Sequence, residues 1–487
     1  MVNSVAKKLE KEFIEIIDLP KDDISWSSVS LSEVLERDNR LEASTFNIDR
    51  AHSIQLLENS KYDLVLLGTK EIGFKDCFYG PRAKRNYLTN IDSTSIGFLG
   101  SSEMLDIYPD PVKFVSHDNS MVDSLSLTEG IILISRSGTI GNVTFVGQTL
   151  SKFLVSEHAI RLVMNEFPGF VYTYLKTDVA QNLLHAEKFG SVILEIEPDA
   201  LKNMLIPNAP ALIKKKIHDL IMDSYANRDE SNRLIDEAAK IMIEELELPP
   251  IDDLKKEAFS YSKEINSFLI KLSDLNGRLE SNYHLPIIKV LENHLREKAD
   301  LVKLENKEIT ENIVLAGVFK RNYVQKGHGY PFLGGKEITQ LSPETDKYLS
   351  KITHKKRYEK ELRVKENWIL VTDRGTIGKV VIVPKHMENM AVSQNVLKIV
   401  PKIYPGYIYC FLNSDYGQIL IKRQSYGSVV NMIDDSSLGD VQIPIIKDRE
   451  IVKKIDCLVL EANELRYQAY KQEQKAIEIM NREVLGL

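Results

Sequence analysis

Lys84-Arg85-Asn86-Tyr87 and Lys320-Arg321-Asn322-Tyr323 are one tetrapeptide written twice, 236 residues apart. Its residue types suit one kind of chemistry. Lysine offers a mobile point charge for a phosphate. Arginine offers a planar fork that fits a phosphate or the O6 and N7 edge of guanine, and asparagine can take adenine in the same two-pronged way. Arg82 stands just before the first copy, after Gly80-Pro81, so these residues belong on a loop or at the start of a strand. A single basic tetrapeptide is usually a solvated face. Its recurrence in register favours contact with DNA.

Further candidates flank a second repeated stretch. Arg136-Ser137 precedes Gly138-Thr139-Ile140-Gly141, and Asp373-Arg374 precedes Gly375-Thr376-Ile377-Gly378, 237 residues later. Arg136, Ser137 and Arg374 can reach DNA from such a turn, or an ion pair can bury there and fix it. Gln394-Asn395 stands where the first copy has Glu157-His158. That difference in hydrogen-bonding groups would suit different bases, and a structural role is the alternative. Lys355-Lys356-Arg357 has no counterpart in the first copy and reads as a phosphate clamp or as plain surface.

Catalytic and metal-binding patterns are missing. No Asn-Pro-Pro-aromatic or Asp-Pro-Pro-aromatic tetrad occurs, and no His-Glu-x-x-His. Gly329 to Lys336 imitates a phosphate loop, but its lysine is late and Glu337 replaces the Ser or Thr that would hold magnesium. Asp110 with Lys113, and Asp199 with Lys202, lack the second carboxylate of a nuclease. The three cysteines have no metal or redox spacing, as expected of reduced structural thiols. No nucleophile meets a base, so the sequence argues against an enzyme.

Elements must position these residues twice. An apolar run, the Gly-Thr-Ile-Gly turn and a second apolar run predict strand–turn–strand at 131–146 and from 369. The 237-residue offset also pairs Pro168-Gly169-Phe170 with Pro405-Gly406-Tyr407, Gly190-Ser191-Val192 with Gly427-Ser428-Val429, and Ile206-Pro207 with Ile443-Pro444. Upstream it drifts by a few residues, through Phe98-Leu99-Gly100 and Phe332-Leu333-Gly334, to Arg40-Leu41-Glu42 and Arg278-Leu279-Glu280. So long a period marks a duplicated domain, not a solenoid. Helices are predicted over Tyr172 to Leu184 and Tyr407 to Ile421.

Then the pattern changes. Ile213 to Leu246 and Arg449 to Leu485 contain no glycine or proline. The second repeats apolar residues at 4-3 spacing through Ile451, Ile455, Leu458, Leu465, Gln472 and Ile479. The first does so through Ile213, Ile217, Leu220, Asn227, Leu234 and Ile241. A helix of that length spans about 50 Å, too long to bury its stripe on one small domain. The two helices are expected to pair antiparallel, with a globular domain at each end, Ser224 and Ser231 opposite alanines, and Asn227 with Gln472 fixing register. Lys8 to Pro20 resembles Ala239 to Pro249, which suggests a closed, pseudo-twofold arrangement.

The chain has 487 residues, 43% of them hydrophobic, and a net charge of −7. That predicts several domains in a soluble, cytoplasmic protein. Any nucleic-acid binding must come from local basic surface. No apolar run is long enough to span a bilayer, and the charged start of the chain is unlike a signal peptide.

In this order and duplication, the motifs resemble the DNA specificity subunit of type I restriction–modification systems. The resemblance implies an α+β chain: two duplicated mixed α/β target-recognition domains separated by a pair of long antiparallel coiled-coil helices. It divides the chain into 1–24, completing the spacer region; 25–207, the first recognition domain; 208–248, the central spacer helix; 249–276, a helical link; 277–445, the second recognition domain; and 446–487, the C-terminal spacer helix. It further implies double-stranded DNA, two methyltransferase subunits and a restriction–translocase subunit as partners. S-adenosylmethionine, ATP and magnesium would reside in those partners, and this chain would hold no cofactor. The rivals are a recognition subunit of another multi-subunit restriction or phage-defence assembly, and a coiled-coil scaffold that reads no DNA.

Overall fold

The computed structural model describes residues 29–36 and 43–487, apart from 83, 90, 93, 120, 191–193, 260–266, 276, 341, 344, 428 and 429. The segment 1–24, Arg40-Leu41-Glu42 and parts of the 190–192 and 427–429 pair therefore lie outside the described residues.

The duplication is present in three dimensions. The first half builds a four-stranded antiparallel sheet in the order Phe74–Tyr79, Ala159–Met164, Ile132–Ser135, Val143–Phe145. The second half repeats that order with Thr310–Val314, Val396–Pro401, Ile369–Thr372 and Val380–Ile382. Alternate residues of a strand face opposite sides. Here both sides are covered. Ile132 and Ile134 face the core that includes the long helices, and Leu133 faces a smaller core beneath a second sheet. Ile369, Val371 and Leu370 divide in the same way. That explains why the runs are apolar without interruption rather than alternating.

The predicted turns form as expected. Gly138 and Gly141 have φ of 78° and 86°, and Gly375 and Gly378 have 75° and 86°, a region that glycine enters without steric cost. Gln181 Nε2 donates to the Gly141 carbonyl at 2.9 Å, and Gln418 Nε2 to that of Gly378 at 2.8 Å. Each turn is thus tied to the helix that follows. That helical region is broken once in each half. Tyr172 to Leu184 is two helices, Pro168–Leu175 and Asp178–Ala186; its counterpart is Pro405–Asn413 and Asp415–Arg423. The cause is local. Thr177 and Ser414 cap the second helices by accepting from Ala180 N and Gly417 N, as N-cap hydroxyls do.

Two helices organise the molecule. The first runs Ala211–Glu245. The second runs Arg449–Ile479 and continues as a wider turn over Met480–Leu485. They lie antiparallel: Lys216 meets Glu483, Asn227 meets Gln472, and Ser231 meets Arg466. Asn227 Nδ2 donates to Gln472 Oε1 at 2.9 Å, and Ser224 Oγ donates to the Ala469 carbonyl at 2.8 Å. The antiparallel pairing, the Asn227–Gln472 contact and Ser224 against an alanine follow the expectation, whereas Ser231 faces Arg466 instead of an alanine.

The buried stripe does not follow it fully. Ile217, Leu234, Ile455 and Ile479 are buried, whereas Ile213, Leu220, Ile241, Ile451, Leu458 and Leu465 are only half-buried. Val452, Val459, Arg466 and Glu473, each one position further on, are buried instead. The helices face their own domains as well as each other. The covered face is therefore wider than a two-stranded seam and rotated from it.

The Pro-Gly-aromatic motif seats each domain on a long helix. A Cβ on Gly169 would lie 2.9 Å from His218 Cα, and one on Gly406 would lie 2.5 Å from the Asp456 carbonyl oxygen. His218 Nδ1 accepts from Gly169 N, and Asp456 Oδ1 accepts from Gly406 N and Tyr407 N. These free N–H groups belong to a helix start, where they need outside partners.

The domains sit towards opposite ends of the helix pair, and they also touch. Equivalent loops meet near the pseudo-axis, where Asp106 forms an antiparallel bridge with Gln340. Ile107 N donates to the Thr339 carbonyl at 2.9 Å, and Lys379 Nζ lies 3.2 Å from Asp106 Oδ2. The helix pair is therefore not the only tie between the heads. Asp106→Lys would set like charges against each other there. It is expected to enlarge the radius of gyration in small-angle X-ray scattering while the helices stay folded. An unchanged radius would show that the helices alone set the separation.

Candidate nucleic-acid interface

The structure brings the two repeated candidate segments together in each half. Arg85 extends over the Phe98 ring, 4.9 Å from its centre, and pairs with Glu157. Arg321 lies over Phe332 at 5.4 Å, and donates to Gln394 Oε1 at 2.6 Å. Tyr87 and Tyr323 pack against the same phenylalanines at 6.0 and 6.2 Å. Neither sequence separation nor local pattern links Arg85 to Glu157. Strand pairing does so, because Ser95–Leu99 runs parallel to Leu154–Val155, as Gly329–Leu333 does to Ala391–Val392.

Around each arginine lies an open polar face. Arg82, Lys84, Asn86 and Tyr87 are exposed in the first half, and Lys320, Arg321, Asn322 and Tyr323 in the second. The backbone of Asn322 is fixed by a hydrogen bond from its N–H to His354 Nε2 at 3.0 Å, which leaves its amide side chain outward. His354 belongs to the short helix Lys351–Arg357, which carries Lys355 and Lys356 exposed. Arg357 differs from those lysines. It lies over Phe319 and pairs with Glu361 at 2.6 Å, so it serves to hold that helix down.

Arg136 and Arg374 are not equivalent. Arg136 is 4% exposed, lies over Tyr79 at 4.2 Å, and pairs with Glu195 at 2.8 Å and Glu197 at 2.5 Å. Its guanidinium is committed to the interior, which is the turn-fixing alternative. Ser137 is likewise buried, bonded to His158 Nδ1 at 2.7 Å. In the second half the interior position holds Asp373, and Arg374 takes the position of Ser137. The Arg374 side chain is 39% exposed and grips the buried Asp373 at 2.9 Å. Burial raises the Asp373 carboxyl, against the pull of Arg374. Arg374 borders a 420 Å³ cavity between the heads, along with Lys336, Lys379 and Asn395.

Residues that the motifs did not single out anchor this surface. Arg161 and Lys398 occupy equivalent, fully buried positions on the central strands. Arg161 donates to the carbonyls of Val155, Leu125 and Ala159. Burial lowers it to about 10. Glu473 joins Tyr172, Arg228 and Ser342, so the second long helix meets both domains and its partner helix at one carboxylate. No local pattern in the sequence marks Arg161, Lys398 or Glu473 as buried.

Among the described residues, no group of three or more His, Cys, Asp or Glu is placed to hold a metal, and no helix is long and apolar enough to cross a membrane.

Comparison with known proteins bears on residues 298–472, which match the family described as "Type I restriction modification DNA specificity domain". No curated protein matches the chain. Among solved structures, the chain is similar to the type I restriction–modification S subunit from M. genitalium, with 15% identity over 87% of this chain and 95% of that one and a TM-score of 0.30. It is also similar to the HsdS subunit from Thermoanaerobacter tengcongensis, with 15% identity over 87% and 97% and a TM-score of 0.27.

Proposed function

We propose, from the premise that residues 298–472 form a type I restriction modification DNA specificity domain, that this chain is the non-catalytic DNA-recognition subunit of such a system. Each half reads one part of a bipartite target. The observation that carries this reading is the duplicated frame: an equivalent arginine over an equivalent phenylalanine in each half, in the same exposed tetrapeptide, beside polar groups that differ, Glu157 and His158 against Gln394 and Asn395. Phosphate contacts position such a surface, and base edges supply the sequence information. The candidate set is Arg82, Lys84, Arg85, Asn86 and Tyr87 in the first half. In the second it is Lys320, Arg321, Asn322, Tyr323, Lys355, Lys356, Arg374, Gln394 and Asn395.

Because the halves are related by a pseudo-twofold, their half-sites would lie on opposite strands about the dyad of the duplex. Their side chains differ, so the half-sites would differ in sequence. A separation near one turn, about 10 base pairs, would put both on one face of the DNA. The helix pair is the surface for two methyltransferase subunits, which a restriction–translocase subunit would join. S-adenosylmethionine, ATP and magnesium would belong to those partners, and the assembly would work in the cytoplasm.

The test is single-molecule methylome sequencing of cells that carry this protein with its methyltransferase. The expected result is a two-part, asymmetric motif with a fixed gap. A continuous or palindromic motif would overturn the reading of two different half-sites.

A further inference from the structure

The two candidate surfaces share a frame and differ in charge. In each half an arginine lies over a phenylalanine, and its guanidinium meets the side chain at one equivalent position. In the first half that side chain is Glu157, buried and ion-paired with Arg85. In the second it is Gln394, a neutral amide 2.6 Å from Arg321. An amide orients a guanidinium without cancelling its charge. A carboxylate does both.

The contrast extends to the neighbours. Arg82 lies 3.7 Å from Glu195, and Arg136 is bound by Glu195 and Glu197. In the second half Arg357 and Arg374 are also paired, with Glu361 and Asp373, so the halves differ at Arg85 against Arg321 and at the turn, where the first half gathers Glu195 and Glu197 around Arg136. At the positions of Glu195 and Glu197 the second half has Met432 and Asp434. Asp434 instead accepts from Tyr426 and from the start of a short helix. Lys84 and Lys320 are both exposed with no ion pair among the described residues, and the second half adds Lys355 and Lys356 in the same state.

We propose that the two halves share DNA binding unequally. The second holds the duplex through phosphate charge, while the first, with Arg85 already paired to a buried carboxylate, contributes through base contacts, and Glu157 against Gln394 sets the difference. This inference rests on the DNA-reading function above.

The exchange of these two residues tests it. Full-length protein is titrated by fluorescence anisotropy with a random-sequence duplex of about 30 base pairs over a range of NaCl concentrations. Each lost phosphate contact lowers the slope of log K against log salt by about 0.9, a threefold to tenfold change in affinity across ordinary salt concentrations. Gln394→Glu and Arg321→Ala are both expected to lower the slope by about that amount. Glu157→Gln is expected to raise it and to tighten binding. Gln394→Glu adds its carboxylate at a half-exposed rim, so thermal unfolding close to wild type is expected and serves as the control. Equal slopes for Glu157→Gln, Gln394→Glu and wild type would overturn the unequal division and leave DNA reading intact. A wild-type protein without salt-dependent binding would overturn DNA reading, and this inference with it.

Discussion

Glu473→Ala is expected to lower unfolding stability by about 3–5 kcal/mol, the range for a broken buried ion pair, as measured by guanidinium denaturation. The side chain is 1% exposed and bound by Arg228, by the Tyr172 hydroxyl at 2.8 Å and by Ser342 Oγ at 3.0 Å, with Lys176 at 3.9 Å. Burial alone would push its carboxyl up. Arg228, Lys176 and the two hydroxyl donors outweigh burial and pull it down to about 2. Truncation leaves the Arg228 guanidinium in a low-dielectric site with no counter-charge, which is where the cost arises. Replacing both charges, in Arg228→Leu with Glu473→Leu, should recover most of the loss, because it strands neither partner. The pH dependence has a definite sign. A carboxyl depressed in the folded state contributes fully above its unfolded value, near 4.5, and loses that contribution as pH falls towards 2. Glu473→Gln should therefore flatten the acid limb of the stability curve. A loss below about 1 kcal/mol for Glu473→Ala, typical of a surface change, would mean that the network does not hold the molecule together.

Lys398→Met is expected to act in the opposite direction, stabilising the protein by about 3 kcal/mol near neutral pH. Lys398 is 1% exposed, and its Nζ has no hydrogen-bond partner among the described residues. Burial lowers its pKa to about 8, with Glu361 offering a weaker counter-pull. The unfolded chain holds its proton up to about 10.5, so between those values the unfolded state binds more protons and wild-type stability rises with pH. The advantage of Lys398→Met should be largest at or below pH 8 and shrink as pH approaches 10. A destabilised variant, or an advantage independent of pH, would count against an unpaired buried charge. Arg161 solves the same problem differently. Its longer fork reaches three main-chain carbonyls, although burial lowers it as well, to about 10.

How far the sequence showed this architecture depends on the range of the interaction. Strand–turn–strand at Gly138-Thr139-Ile140-Gly141 was legible because strand, turn and strand are contiguous. The antiparallel helices were legible because heptad spacing persists, and Asn227 and Gln472 stood out as polar residues at seam positions. The break at Thr177 and Ser414 had a signal too, a hydroxyl residue followed by aspartate, hidden within apolar residues that continue on both sides. Arg466 and Glu473 were not legible as core. Their partners are remote in sequence: Ser231 and Asn232 of the other long helix for Arg466, and Arg228 of that helix, Tyr172 of a shorter helix and Ser342 of a loop for Glu473. For Arg136 the sequence left DNA contact and a buried ion pair both open, because the carboxylates that bury it lie some sixty residues away in sequence. The bridge at Asp106 and Gln340 has no local pattern at all.

The ends of the long helices are exchanged. Leu234 to Leu246 of the first helix lies in the core of the second domain, and Ala476 to Leu485 of the second helix lies in the core of the first. Neither head completes its interior with its own residues. The halves behave as two lodgers each holding the other's key: loosening one head withdraws a wall from the other. Folding is thereby coupled end to end, and a molecule with one sound reader and one collapsed reader is not a state this chain can easily occupy.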